Sequence, residues 1–176
     1  MTTQILLSGF GGQGILFTGK FLAYKGLFAD KNVSWLPSYG PEMRGGTASC
    51  SVIISDEEVG SPIISQPDVL IAMNLPSFEK FVPTVRPGGI VIADSSLIEI
   101  TTDRTDINVH YIPATALASD MGKQSLANMI ILGKLLKVMD DFNEDEIKTV
   151  LSKVIPPKKA DMLEINMKAM QIGADN

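Results

Sequence analysis

The stretch Gln4-Ile-Leu-Leu-Ser-Gly-Phe-Gly-Gly-Gln-Gly14 joins a short apolar strand to four glycines and runs without a break into a helical pattern. Gly9, Gly11 and Gly14 have the spacing G-x-G-x-x-G, in which a glycine turn lets backbone N–H groups at a helix start approach a phosphate or other anion. Beyond it, Phe17, Phe21, Tyr24 and Phe28 recur at helical spacing, so one aromatic face is expected to lie on a sheet. Strand, glycine turn and packed helix make the first β-α unit of a doubly wound sheet.

A dinucleotide site needs one more group, an acidic side chain ending the second strand to hold a ribose hydroxyl. The second strand is expected at Val33–Leu36 and ends in Pro37 and Ser38, while Asp30 precedes it and reads as a turn residue. A free-standing dinucleotide-binding protein or NAD(P)-dependent dehydrogenase stays open as an alternative without that acid. So does a loop whose glycines serve only turning and close packing.

The 176 residues suit one domain, 1–176, with a core that needs neither disulfide nor structural metal. A net charge of -5 and the absence of any lysine-arginine run give nucleic-acid binding no support. The first strand begins near residue 4 with no apolar leader ahead of it, and no apolar run reaches membrane-spanning length, so a soluble, cytoplasmic protein is expected. One cysteine, Cys50, cannot build a disulfide framework, a zinc site or an iron–sulfur cluster within the chain. It alternates with Ala48, Val52 and Ile54 and reads as a buried hydrophobe.

Pro37-Ser-Tyr-Gly-Pro-Glu-Met-Arg-Gly-Gly46 has no secondary-structure period and is dense in proline and glycine. Its Tyr39, Glu42, Met43 and Arg44 are an unusual set for a solvated turn, and loops at a sheet's carboxyl edge tend to hold sites. The plainer reading is a surface turn with a Glu–Arg pair. Thr47–Ser55 reads as a strand and Glu58–Ile64 as its hairpin return, which makes the sheet mixed. Two apolar runs, Pro67–Met73 with a short helix after it and Pro87–Ala93, read as buried strands ending at Asn74 and Asp94. In parallel register the glycine loop, the Tyr39–Arg44 loop, Asn74 and Asp94 share one crevice, although both polar residues would serve equally as local caps. His110 lies on the last strand and reads as structural.

Ser125–Met139 is apolar nearly all round, which suggests a helix covered on several sides, in part by another chain. Phe142-Asn-Glu-Asp-Glu-Ile147 is a helix start with Asn143 as cap, Glu146 reaching back and Phe142 on Ile147. A last helix is expected over Lys158–Ile172, stopped by Gly173.

Ser8-Gly-Phe-Gly-Gly-Gln-Gly14, the Pro37–Gly46 loop, Asn128-Met within its apolar helix and Glu164-Ile-Asn-Met-Lys-Ala169 together resemble the gamma subunit, or gamma domain, of 2-oxoacid:ferredoxin (acceptor) oxidoreductases. The likeness runs almost end to end. Its Tyr-Gly-Pro-Glu-Met-Arg-Gly-Gly form is closest to the 2-oxoglutarate type, with 2-oxoisovalerate and indolepyruvate types also open. The resemblance implies a three-layer α/β/α Rossmann-like domain with a mixed, mostly parallel sheet. It also implies a complex that oxidatively decarboxylates a 2-oxoacid to an acyl-CoA and passes electrons to ferredoxin or another acceptor. In that family thiamine diphosphate, Mg and the iron–sulfur clusters belong to alpha, beta and delta partners. Consistently, this chain has no Gly-Asp-Gly and Asn-Asn pair for thiamine diphosphate. No catalytic residue and no metal ligand is therefore assigned here. Gly9, Gly11, Gly12, Gln13 and Gly14 are candidates for a CoA phosphate loop, and Tyr39, Glu42 and Arg44 for a CoA or subunit contact.

Overall fold

The computed structural model describes residues 1–39 and 47–176. Its strands are β1 (Thr2–Phe10), β2 (Asn32–Tyr39), β3 (Thr47–Ser55), β4 (Val69–Ala72), β5 (Ile90–Asp94) and β6 (Asn108–Ile112). Its helices are α1 (Ile15–Phe28), α2 (Leu75–Phe81), α3 (Ala114–Asp120), α4 (Ala127–Val138), α5 (Glu144–Val154) and α6 (Leu163–Asp175). The sheet order is β2-β3-β1-β4-β5-β6, and β3 alone among the described strands runs against the others. The α/β architecture with a mixed, mostly parallel sheet is therefore as expected, but the connection that makes it mixed is not. β3 pairs with β2 on one edge and β1 on the other, so no edge was left for a return strand over Glu58–Ile64, which has no strand structure.

The strands alternate as a pleated sheet dictates. Ile5, Leu7, Cys50, Val52, Ile71 and Ile92 face the larger core beneath α1, α3, α4, α5 and α6. Leu6, Leu70, Ala72, Val91 and Ala93 face a smaller core with Phe78, Val82 and Val85. β2 is longer than its apolar run because strand pairing with β3 carries it through Pro37 to Tyr39.

α1 does not lie on the sheet by its aromatic stripe. Gly19 and Gly26 face the sheet, the first against Cys50 and the second against Val33 and Ile54. Phe21 is buried, Phe17 and Tyr24 are half-buried, and Phe28 is exposed. Small residues won the sheet contact because they let the helix approach closely, which displaced the bulkier stripe.

α4 is buried from Ala127 through Gly133, and most of its cover is α6. The backbones meet at two glycines: a Cβ on Gly133 would lie 1.9 Å from the Met170 carbonyl oxygen, and one on Gly173 1.9 Å from that of Ile130. Gly173 is thus a packing residue inside α6, which runs on to Asp175, and not its terminator. Within this chain α6 supplies the cover that the apolar α4 sequence called for. Asn143 does cap α5, accepting from the Glu146 N–H. The Glu146 carboxylate does not reach back: it takes Lys25 Nζ at 3.0 Å, beside Asp141 at 2.9 Å. Phe142 packs against the core that contains Ile147.

Candidate functional site

Five strands point one way, so β1, β2, β4, β5 and β6 deliver their carboxyl ends to one edge. The glycine turn leaves β1 there with Gly12 at φ 89° and Gly14 at φ 78°, backbone that side-chain-bearing residues rarely adopt. Gln13 holds the turn in shape. Its Oε1 accepts from the Phe10 N–H at 2.6 Å while its Nε2 donates to the Met73 carbonyl at 3.0 Å, so one amide ties β1 to the end of β4. Below the turn, Asn128 Nδ2 donates to the Gly14 carbonyl and to Thr18 Oγ1, each at 3.3 Å. A Cβ on Gly14 would fall 2.3 Å from that nitrogen.

A crevice of about 360 Å³ opens over this turn. Gly11, Gly12 and Gln13 form one wall, and Thr115, Gln124 and Ser125 form another, with Met73 and Leu97 as apolar lining. Two helices begin at its border. α1 starts at Gly14 and α4 follows the turn Gln124–Leu126; neither has a side-chain cap or an acidic residue in its first turn. The starts of α2 and α5 are capped by Asn74 and Asn143, whereas α3, which carries Thr115, and α6 also begin without a side-chain cap. At α4 the Leu126 and Ala127 N–H groups bond back to the Lys123 and Gln124 carbonyls, so the open N–H groups are those of the α1 start and of Gln124 and Ser125. With the aligned peptide dipoles they favour an anion where, among the described residues, no charged side chain lines the wall. The position fits a phosphate: a Cβ on Gly12 would project into open space, so the backbone there is directly accessible.

The crevice gathers some of the expected residues and not others. Gly11, Gly12 and Gln13 line it, whereas Gly9 is within β1, packed against Gln13, and Gly14 is packed against Asn128. Tyr39 is at the same sheet edge but lines a separate hollow of about 190 Å³ with Ser8, Thr47, Ser77 and Lys80. Glu42, Met43 and Arg44 lie outside the described residues. Asn74 is a helix cap, its Oδ1 accepting from the Ser77 N–H. Asp94 is wholly buried, accepting from the Ser96 N–H, the Thr115 N–H and the Thr115 hydroxyl. It braces the Thr115 wall from behind.

No acid–base pair among the described residues lines the crevice. Among the described residues no three His, Cys, Asp or Glu side chains come together as metal ligands. The Cys50 thiol is pushed up to about 12 by burial, so it is held as the protonated, inert form. His110, half-buried on β6, has its pKa lowered by burial and then by Lys134. The dinucleotide alternative loses ground for a geometric reason. The seat beside β1 belongs to antiparallel β3, and β2, one strand further out, ends in Tyr39 without an acid.

The family model described as pyruvate ferredoxin/flavodoxin oxidoreductase matches residues 4–176, nearly the whole chain. The chain belongs to this family. Within it, the gamma-type unit is the one matched. The keto/oxoacid ferredoxin oxidoreductase gamma subunit from Geobacter sulfurreducens superposes with TM-score 0.81 at 26% identity, covering 98% of this chain and 96% of that one. The 2-oxoglutarate synthase subunit KorC of Methanocaldococcus jannaschii is 33% identical over 161 residues, covering 89% of this chain and 85% of the relative. A 2-oxoglutarate:ferredoxin oxidoreductase from Magnetococcus marinus, solved with 2-oxoglutarate, coenzyme A and succinyl-CoA bound, gives TM-score 0.86 at 27% identity, covering 99% of this chain and 30% of that one. The chain spans about a third of the ketoisovalerate oxidoreductase subunit VorA of Methanothermobacter marburgensis, 36% of its length, at 36% identity.

Sequence reasoning about this gamma-type unit found the glycine wall and missed Thr115, Gln124 and Ser125. The one available signal was a polar Lys123-Gln-Ser125 step directly before an apolar helix. It became a wall only when α3 and α4 folded over β5 and β6. Among the described residues no helix is long and apolar enough to cross a membrane.

Proposed function

We propose that the gamma-type unit completes a 2-oxoacid:ferredoxin (acceptor) oxidoreductase by seating the phosphate end of coenzyme A in its carboxyl-edge crevice. The observation that carries this is the meeting of the α1 start and the Gln124–Leu126 turn, neither with a side-chain cap, at one crevice beside an accessible glycine backbone. Gly11 and Gly12 would present backbone to the phosphates, and Thr115, Gln124 and Ser125 would supply neutral hydrogen bonds from the facing wall. Tyr39, Glu42 and Arg44 stand as contacts to CoA or to a neighbouring subunit. The reacting atoms are served elsewhere, by thiamine diphosphate with Mg and by iron–sulfur clusters in alpha, beta and delta partners, which stabilise the carbanion and carry electrons to ferredoxin or a related acceptor. This unit's part is binding and orientation.

The 2-oxoacid is read as 2-oxoglutarate, supported by the near full-length match to KorC and by the Magnetococcus marinus structure. Ketoisovalerate is the second reading, favoured by the identity to VorA. Assay of the reconstituted complex with both acids separates them.

Ser125→Asp tests the CoA site. Ser125 is exposed, and a carboxylate at a helix start stabilises the helix by about 0.3–1 kcal/mol. The fold should hold while the crevice repels phosphate, so KM for CoA should rise about tenfold with kcat for the decarboxylation half-reaction unchanged, roughly 1.4 kcal/mol lost in ground-state binding. An unchanged half-saturation for CoA would remove the crevice from this role.

A further inference from the structure

α1 is apolar apart from Thr18, Lys20 and Lys25, yet only part of it is covered by its own chain. Its inward residues meet the sheet and the α4–α5 corner, and Lys25 is turned inward to Asp141 and Glu146. Outside are half-buried Tyr24, exposed Leu27 and Phe28, and one cation, Lys20. Nearer the helix start, Trp35 lies beside Gly19 and is 41% exposed on β2, whose outer edge has no partner strand among the described residues. No residue from Val33 to Tyr39 is charged. A helix apolar all round is ordinarily buried on all sides, and an open strand edge without charges is ordinarily covered. Exposed Leu27, Phe28, Trp35, Leu36 and Tyr39 thus put one share of the uncovered apolar surface on α1 and β2, with others at Phe10, Ile63, Leu97, Ile100 and Tyr111, and none of it on α4.

We infer that the outer face of α1 with the β2 edge seats an uncharged, apolar surface of the catalytic polypeptide of the same complex. This rests on the subunit reading above. Chain length and position identify the occupant. In VorA the matched unit is 36% of the polypeptide, so most of that chain lies beyond it and is held beside it by the covalent link. The same holds for the Magnetococcus marinus chain, of which the unit is 30%. The face also leads to the site. α1 begins at the glycine turn, and β2 ends at the same sheet edge, so a body seated along both reaches the crevice. Among the described residues the lining of that crevice holds no acid, base or metal ligand, and a body seated there could bring them. A second copy of this chain on the same face would bring none.

The test is a double variant, Leu27→Glu with Phe28→Glu, co-expressed with the catalytic subunits of the complex from the same organism. Both side chains are exposed, 54% and 45%, so the isolated variant should keep its circular dichroism and thermal midpoint. Its affinity for the catalytic subunits should fall at least tenfold, and activity should return as subunit concentration is raised. Ile63→Glu, 75% exposed on another part of the surface, should assemble as the wild type does. In the wild-type complex, amide exchange should slow across α1 and β2 relative to the free chain; this reading does not depend on any variant folding. Equal affinity of the double variant, or unchanged exchange at α1 and β2, overturns the inference while leaving the subunit reading intact. Failure of the wild-type chain to join the catalytic subunits overturns the subunit reading itself. Self-association of the isolated chain that the double variant abolishes would assign the face to a second copy and overturn the inference.

Discussion

Gly133→Ala sets two effects of opposite sign against each other. Helix propensity alone predicts a gain of about 1 kcal/mol, because alanine in a helix interior is better than glycine by that much. The α4–α6 contact predicts a loss. The new Cβ would lie 1.9 Å from the Met170 carbonyl oxygen, and contacts under 3.0 Å are essentially never tolerated, so α6 has to retreat by about 1 Å. The obstacle is backbone, which cannot rotate aside as a side chain would. A gap of about 0.5–1 Å forfeits a quarter to a half of the dispersion contact along it. Ala169, Met170 and Ile130, all fully buried, lie along that seam. Overpacking costs about 1–3 kcal/mol, and a rigid obstacle argues for the upper end, leaving a net loss of about 2 kcal/mol.

For a chain of this size that loss lowers Tm by about 4–8 °C. Urea unfolding should show it as a lower midpoint at unchanged slope. Gly173→Ala should cost a similar amount, since its Cβ meets the Ile130 carbonyl at the same 1.9 Å. The pair should be sub-additive, because one retreat of α6 relieves both clashes. Gly60→Ala, where a Cβ meets nothing within 4 Å, is the control and should be near neutral. A Gly133→Ala protein as stable as the wild type, or more so, would refute the close crossing.

Two further perturbations test charge and pH. Lys25→Met keeps the packed stem but strands Asp141 and Glu146, whose side chains are 48% and 31% exposed and can still reach water, so the loss should be about 1–3 kcal/mol and not the larger penalty of a fully buried pair. A double-mutant cycle with Glu146→Gln checks it, and strict additivity would show that the pair is not coupled. His110 has its pKa lowered by burial and by Lys134, so folding favours the neutral ring. Its contribution is complete above the unfolded value of about 6.5 and is lost as pH falls through the lower folded value. As the only histidine it gives one NMR titration, which should have its midpoint below 6.5, and His110→Gln should flatten stability against pH in that window. A midpoint at or above 6.5 would contradict the burial.

Local chemistry made several elements legible from the chain alone. The glycine turn, the Asn143 cap, the buried alternation around Cys50 and the strand runs ending at Asn74 and Asp94 each depend on neighbours in sequence, so pattern suffices. Parallel order then placed the strand ends on one edge, as doubly wound sheets require. Other features were settled by contacts between distant segments. β3 entered between β1 and β2, which cancelled the hairpin over Glu58–Ile64 and left the seat beside β1 antiparallel. Gly19 and Gly26 took the sheet contact from the aromatic stripe, and Gly173 turned from a stop signal into half of a helix crossing.

By itself the sequence determined a glycine-turned α/β chain with one cysteine, too few for a cysteine-ligated cluster of its own. Tertiary structure alone decided that Thr115, Gln124 and Ser125 face the glycine wall and that α4 is covered while Leu27, Phe28 and Trp35 on α1 and β2 are left exposed. The reason is physical. Periodicity reports which face of an element is apolar, whereas what covers that face depends on how closely two backbones can approach, and residues far apart in the chain set that distance.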